Sequence, residues 1–140
     1  MDQVKDKSGE PLVRDQRGQS GKGITLQPLL GTWLNTNSRT RGITKVVLAS
    51  SGERLYFRVF GAYEPSTYDW GEVTASVFAE DTQATEAMAF NAAYEFDFMK
   101  TSLHGFLRQG VLVVAKFDSF RDSSGRSSYF TKEFFYRSGA

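Results

Sequence analysis

The chain has 140 residues, 17 basic against 16 acidic side chains for a net charge of +1, and no cysteine. That length suits a single domain with a real core. The charge balance leaves no field to concentrate nucleic acid, and the lack of cysteine excludes disulfides and thiolate chemistry.

Residues 1 to 24 are polar, Gly-bearing and nearly free of large apolar groups. Such a segment cannot offset the entropy of ordering, so a flexible tail is expected there, followed by a folded domain over 25 to 140. Met1-Asp2-Gln3-Val4-Lys5 lacks the apolar core of a signal peptide. No apolar run reaches the roughly 18 to 20 residues of a transmembrane helix. A cytoplasmic protein with no membrane partner is the expectation.

After a turn at Leu26-Gln27-Pro28-Leu29-Leu30, aromatic and β-branched runs recur. They predict strands near 31 to 37, 43 to 49, 54 to 60, 71 to 79, 86 to 93, 98 to 107, 111 to 119 and 127 to 137. Ser50-Ser51-Gly52-Glu53, Gln109-Gly110 and Ser123-Ser124-Gly125 supply reversals between them. Eight strands in hairpin succession give an all-β fold, an eight-stranded antiparallel up-and-down β-barrel, whose closure leaves no free edge. The one competing reading lies at 85 to 98. There Ala87, Ala89, Ala92 and Ala93 are helix formers and Thr85 could cap a helix, which would make the fold α+β.

Two ends of the chain bear on the closure. Gly31-Thr32-Trp33 opens the first strand and Phe134-Phe135-Tyr136-Arg137 closes the last. An indole can fill a narrow barrel end, and a guanidinium over its face gains about 0.5 to 2 kcal/mol of cation–π attraction. This pairing resembles the calycin superfamily of lipocalins, fatty-acid-binding proteins and avidins. The resemblance implies a container for a small molecule, with Trp33 plugging the floor and Arg137 lying across it. Gly31-x-Trp33-x-Asn35 is also similar to the avidin type, which implies Asn35 as a ligand contact; the further stacking tryptophans of avidins are missing. Fatty-acid-binding proteins carry a helical lid between strands one and two, for which Ser38 to Gly42 is too short.

If strand one runs upward from Trp33, the upper connections are Ser38 to Gly42, Gly61 to Trp70, Tyr94 to Asp97 and Arg121 to Arg126. This end holds Tyr63, Tyr68 and Trp70 in the longest expected loop, with Arg39, Arg41, Arg121 and Arg126 around it. Arg donors fit an anionic or enolic head, and Tyr and Trp join an apolar body to a polar tip. The same arginines could instead pair with Glu64, Asp69 and Asp122 as ordinary surface ion pairs.

Within the strands, Tyr56, Arg58 and Phe60 share one face, and Tyr129, Thr131, Glu133 and Phe135 share another. Parity alone leaves open which face is interior, because Leu55, Phe57 and Val59 are equally apolar. An inward Arg58 or Glu133 would need a partner or a ligand. His104 is the sole histidine, and neither a metal ligand set nor a phosphate loop is visible, so no cofactor is expected. Asn35, Tyr56, Arg58, Tyr63, Tyr68, Trp70, Tyr129 and Glu133 are therefore the candidate ligand contacts.

The favoured function is binding of a mostly hydrophobic small molecule in the central cavity. The alternative is a cofactor-independent cyclase or isomerase that closes a ring in a polyene or polyketide-type precursor of bacterial secondary metabolism. Such catalysis needs only confinement and one or two hydrogen bonds. A third class is a protein-interaction module using the loop from Tyr63 to Trp70. Expected partners are the small molecule and a second copy of the chain; nucleic acid is not expected.

Overall fold

The structure is a computed structural model that describes residues 23–63 and 65–139. The expectation of a flexible tail therefore falls mostly on residues outside the described ones. Eight strands follow one another: β1 (Gly31–Asn35), β2 (Ile43–Ser51), β3 (Arg54–Tyr63), β4 (Ser66–Ala79), β5 (Ala87–Glu95), β6 (Met99–Arg108), β7 (Val111–Phe120) and β8 (Tyr129–Arg137). Each pairs antiparallel with the next, and β8 pairs with β1 through Arg137↔Trp33 and Phe135↔Asn35, closing an up-and-down barrel. No helix of the described residues is long and apolar enough to cross a membrane.

The interior is read from alternation. Trp33 and Asn35 of β1, Leu55, Phe57 and Val59 of β3, and Leu103 of β6 all point inward and are buried. Phe90 of β5 and Phe135 of β8 complete the aromatic filling with Trp33 and Phe57. Phe57 and Phe90 meet with ring centroids 4.8 Å apart. Gly105 of β6 makes room for this pair, since a Cβ there would overlap the Phe90 ring.

At the lower end a single 3₁₀ turn, Gln27–Leu29, crosses beneath the barrel and inserts the fully buried Leu29. Trp33 Nε1 donates to Leu29 O at 3.0 Å, so the buried indole N–H is satisfied. The Arg137 guanidinium lies 4.5 Å from the Trp33 ring centroid and donates to Pro28 O. The floor is thus tied covalently, by hydrogen bond and by cation–π contact, and the whole is compatible with a calycin-like barrel. Ahead of the turn, Thr25 bridges to Glu86, with Thr25 N–H donating to Thr85 O at 2.7 Å.

The strand expected near 86 to 93 is present as β5, and the competing helix reading of the alanine-rich stretch falls: Ala87, Phe90, Ala92 and Tyr94 bury one face with a shift at the Phe78/Ala79 bulge opposite. Packing between two neighbouring strands overrides alanine's local preference. One expectation is corrected: the segment Gly61 to Trp70 is not a long loop. β3 and β4 pair outward as far as Tyr63↔Ser66, so a hairpin projects above the rim.

Candidate functional site

The upper half of the barrel differs in kind from the floor, because charged side chains point inward there. On β7, Leu112 and Val114 face the core, and the same parity carries Lys116 and Asp118 inward. Asp118 is 1% exposed and Lys116 13%. Asp118 accepts from Lys116 Nζ and from Thr101 Oγ1 at 2.6 Å, its cross-strand neighbour on β6. The Lys116 ammonium also lies 5.2 Å from the Tyr129 ring centroid.

Glu133, next along the wall on β8, is held by three donors. These are the backbone N–H of Ile43 at 3.1 Å, Asn35 Nδ2 at 3.0 Å and the Thr40 hydroxyl. Thr40 in turn accepts from the Gly42 N–H at 3.0 Å. A Cβ at Gly42 would stand 2.8 Å from Glu133 Oε1, so glycine permits the loop to close on the carboxylate. Asn35 spends its other amide hydrogen on Ile43 O at 2.8 Å and its carbonyl on the Asn37 N–H at 2.7 Å. Asn35 and Glu133 therefore pin the β1–β2 loop to the last strand, with their hydrogen-bonding capacity largely filled by protein.

Between these groups lies a hollow of about 440 Å³, walled by Arg41, Gly42, Lys116, Tyr129, Thr131 and Glu133. Its cations, Lys116 and Arg41, are matched by Glu133 and by Asp118 behind Lys116. Lys116 uses one N–H on Asp118 and keeps two for an occupant. The hydroxyls of Tyr129 and Thr131 add polar tips on the same wall.

Opposite, Trp70, Tyr94 and Phe96 form an aromatic cluster with edge contacts at 5.4 and 5.7 Å and a stacked contact at 6.2 Å. Trp70 closes over Gly61, whose missing side chain admits the indole. Tyr94 OH donates to Gly71 O at 2.7 Å. That bond spans β4 and β5 above Ser76↔Asn91, where their ladder ends. Burial pushes the Tyr94 phenol up to about 12, so it stays a donor at neutral pH.

Of the sequence candidates, Asn35, Tyr129 and Glu133 meet at this upper end. Tyr56 and Arg58 do not. With Leu55, Phe57 and Val59 inside, they lie on the outer wall, where Arg58 pairs with Asp69 at 3.0 Å. The Arg58 hydrogen bond holds the Asp69 carboxyl below its ordinary range, a surface effect without bearing on the cavity. Tyr63 and Tyr68 pack together at 6.2 Å on the projecting hairpin and are exposed. Tyr63 borders a second hollow with Ser38, Arg39, Thr40, Arg41 and Ala62, against the β1–β2 loop.

Two of the four arginines have partners of their own: Arg121 with Glu95 at 2.7 Å, and Arg126 with Asp122 at 2.7 Å. Arg126 also covers the Phe120 ring at 4.2 Å. His104 is on the outer wall, edge-on to Phe117 at 5.4 Å. Thr40, Thr101, Lys116 and Asp118 were not foreseen. Counting parity back from Asp118 through Lys116 to Val114 would have found two of them, but the unbroken apolar run Val111 to Ala115 hides which face is which.

The chain matches no protein-family model, no curated protein and no solved structure.

Proposed function

We propose that the upper hollow binds a small, mostly apolar molecule through an anionic or enolic head. The observation that carries this reading is Lys116: an ammonium 13% exposed, on the wall of a 440 Å³ hollow, with two N–H groups left over. A largely buried cation gains most from an acceptor that arrives already desolvated. The nearby carboxylates disfavour a multiply charged head. An enol or a β-dicarbonyl suits the balance, accepting from Lys116 and donating to the one acceptor site that Asn35, Thr40 and Ile43 leave on Glu133 Oε1.

The lower barrel is filled by Trp33, Phe57, Phe90 and Phe135, so the occupant sits high. Its apolar body lies along the rim beside Tyr129 and Phe120, which stack at 6.1 Å. This refines the expectation of a ligand in the centre of the barrel.

The polyene carboxylate cis-parinaric acid tests the reading by its fluorescence on binding. Saturable one-to-one binding is expected, weakened about tenfold by Lys116→Met, the usual scale for a charge-assisted hydrogen bond. No binding, or binding indifferent to that change in a folded variant, overturns it.

A second reading, a cofactor-free cyclase or isomerase, draws support from the same hollow holding an ammonium and a carboxylate together. Lys116 would stabilise negative charge developing on a carbonyl oxygen, and Glu133 would accept a proton from the adjacent carbon. Incubation with a linear polyene bearing a β-dicarbonyl head distinguishes the two. An isomer of unchanged mass, lost in Lys116→Met, marks the enzyme; unaltered ligand recovered from the complex marks the carrier.

A further inference from the structure

The outer wall of β6, β7 and β8 is apolar where a solvent-facing wall should be polar. β7 presents Val111, Val113, Ala115 and Phe117 outward in succession, the pattern of a strand covered on both faces. Cross-strand register extends it sideways. Phe106, Val113 and Phe134 form one row and Phe117 and Phe130 another, with His104, Ala115 and Lys132 in the row between them. Their rings are exposed: Phe106 39%, Phe117 42%, Phe130 62% and Phe134 45%, with Tyr136 48% below.

We infer that this wall is the contact between two copies of the chain. The area argues for it. At about 200 Å² per aromatic side chain, the exposed parts of these five rings come to roughly 450 Å². That alone reaches the size of the largest apolar patch on a typical monomer, about 300 to 600 Å². Leu34, Val111, Ala115 and the stem of Lys132 border the rings and extend the patch toward the roughly 800 Å² per partner of a stable interface.

The surface is also flat. Phe117 and Phe130 lie stacked at 5.7 Å with 20° between planes, which suits another sheet face and not insertion of single rings between lipids.

A two-fold axis running across the strands lays β6 of one copy on β6 of the other, so Lys100 and Arg108 meet at each edge and are flanked by Glu95, the cross-strand neighbour of Lys100, and by Glu80, which shares a groove with Arg108. The mouths then open in opposite directions and stay accessible.

Sedimentation velocity on the full chain tests this. The expected mass is twice 15.7 kDa, falling to one chain in the double variant Phe117→Ser, Phe130→Ser and independently in Phe134→Lys. All three positions are exposed, and a single cooperative thermal transition of the separated monomers confirms an intact fold. A wild-type monomer at about 100 μM, or a dimer unaffected by either variant, overturns the inference. So does a monomer that co-sediments with vesicles of phosphatidylcholine and phosphatidylserine and loses this in the double variant, which reassigns the wall to a lipid surface.

Discussion

The two ends of this barrel solve opposite problems with the same alternating strands. At the floor every inward group is apolar or has its hydrogen bond within a few residues, as Trp33 does with Leu29 O. At the mouth, further up the same strands, Glu133 and Asp118 point inward and accept from donors on β1, β2, β6, β7 and the β1–β2 loop, Lys116 among them. Burying charge where Leu or Val would pack costs stability even when the charge is paired. A barrel needing only to fold would repeat its floor. The difference between the ends is what supports the proposed binding at the mouth, with stability carried by the floor, and each can be disturbed separately.

The largest effect belongs to the floor. Trp33→Ala removes the biggest buried side chain, leaves a cavity that the closed sheet cannot collapse into, and frees Arg137 from its ring. A loss of about 3 to 5 kcal/mol in urea unfolding is expected. A loss under about 1 kcal/mol breaks the assignment of stability to this end.

At the mouth the expected pattern is different, because the energy lies in charge compensation. Asp118→Ala leaves Lys116 without its carboxylate in a site 13% exposed and should cost about 3 kcal/mol. Asp118→Leu combined with Lys116→Met removes both charges and should recover most of that, while binding of cis-parinaric acid stays weakened about tenfold. Stability and binding thus move apart in the double variant. Should they fall together, the pair is part of the fold and not a device of the site.

How far this contrast is legible beforehand follows from the residues. The floor announces itself, since Gly31-x-Trp33 and Arg137 are rare types at the two chain ends, and hairpin order alone makes them neighbours. Hairpin order likewise sorts the connections into two ends. The mouth is harder to read because its charges are identified only by side-chain parity, and parity is masked wherever both faces are apolar. In β3 that masking placed Tyr56 and Arg58 among the interior candidates; in β7 it concealed Lys116 and Asp118. Bulges at Ile43/Lys45, Arg58/Phe60 and Phe78/Ala79 each shift the alternation further, and nothing local in the sequence marks them. Glu133 shares its face with Tyr129, Thr131 and Phe135, and only the donors converging on it from Asn35, Thr40 and Ile43 reveal that the protein itself largely satisfies the charge.

The smallest effect sharpens the comparison where the mouth is weakest. Above Ser76↔Asn91 the β4–β5 ladder ends, and the Tyr94 hydroxyl bond to Gly71 O takes its place. Tyr94→Phe keeps the ring against Trp70 and Phe96 and loses the hydroxyl, with its bond to Gly71 O and its longer contact at 3.4 Å to Phe57 O, an expected cost of about 1 kcal/mol at neutral pH. The hydroxyl also imposes a pH signature. Its folded pKa, pushed up to about 12 by burial, exceeds the ordinary value of 10.0, so the folded chain retains a proton that the unfolded chain gives up. The stabilisation is complete below pH 10 and drains away between pH 10 and about 12, as the phenol ionises more readily unfolded than folded. Urea midpoints measured across that interval should fall less steeply in Tyr94→Phe than in the wild type. Parallel slopes would mean that Tyr94 is solvated, and that the upper seam between β4 and β5 is held by the aromatic cluster alone.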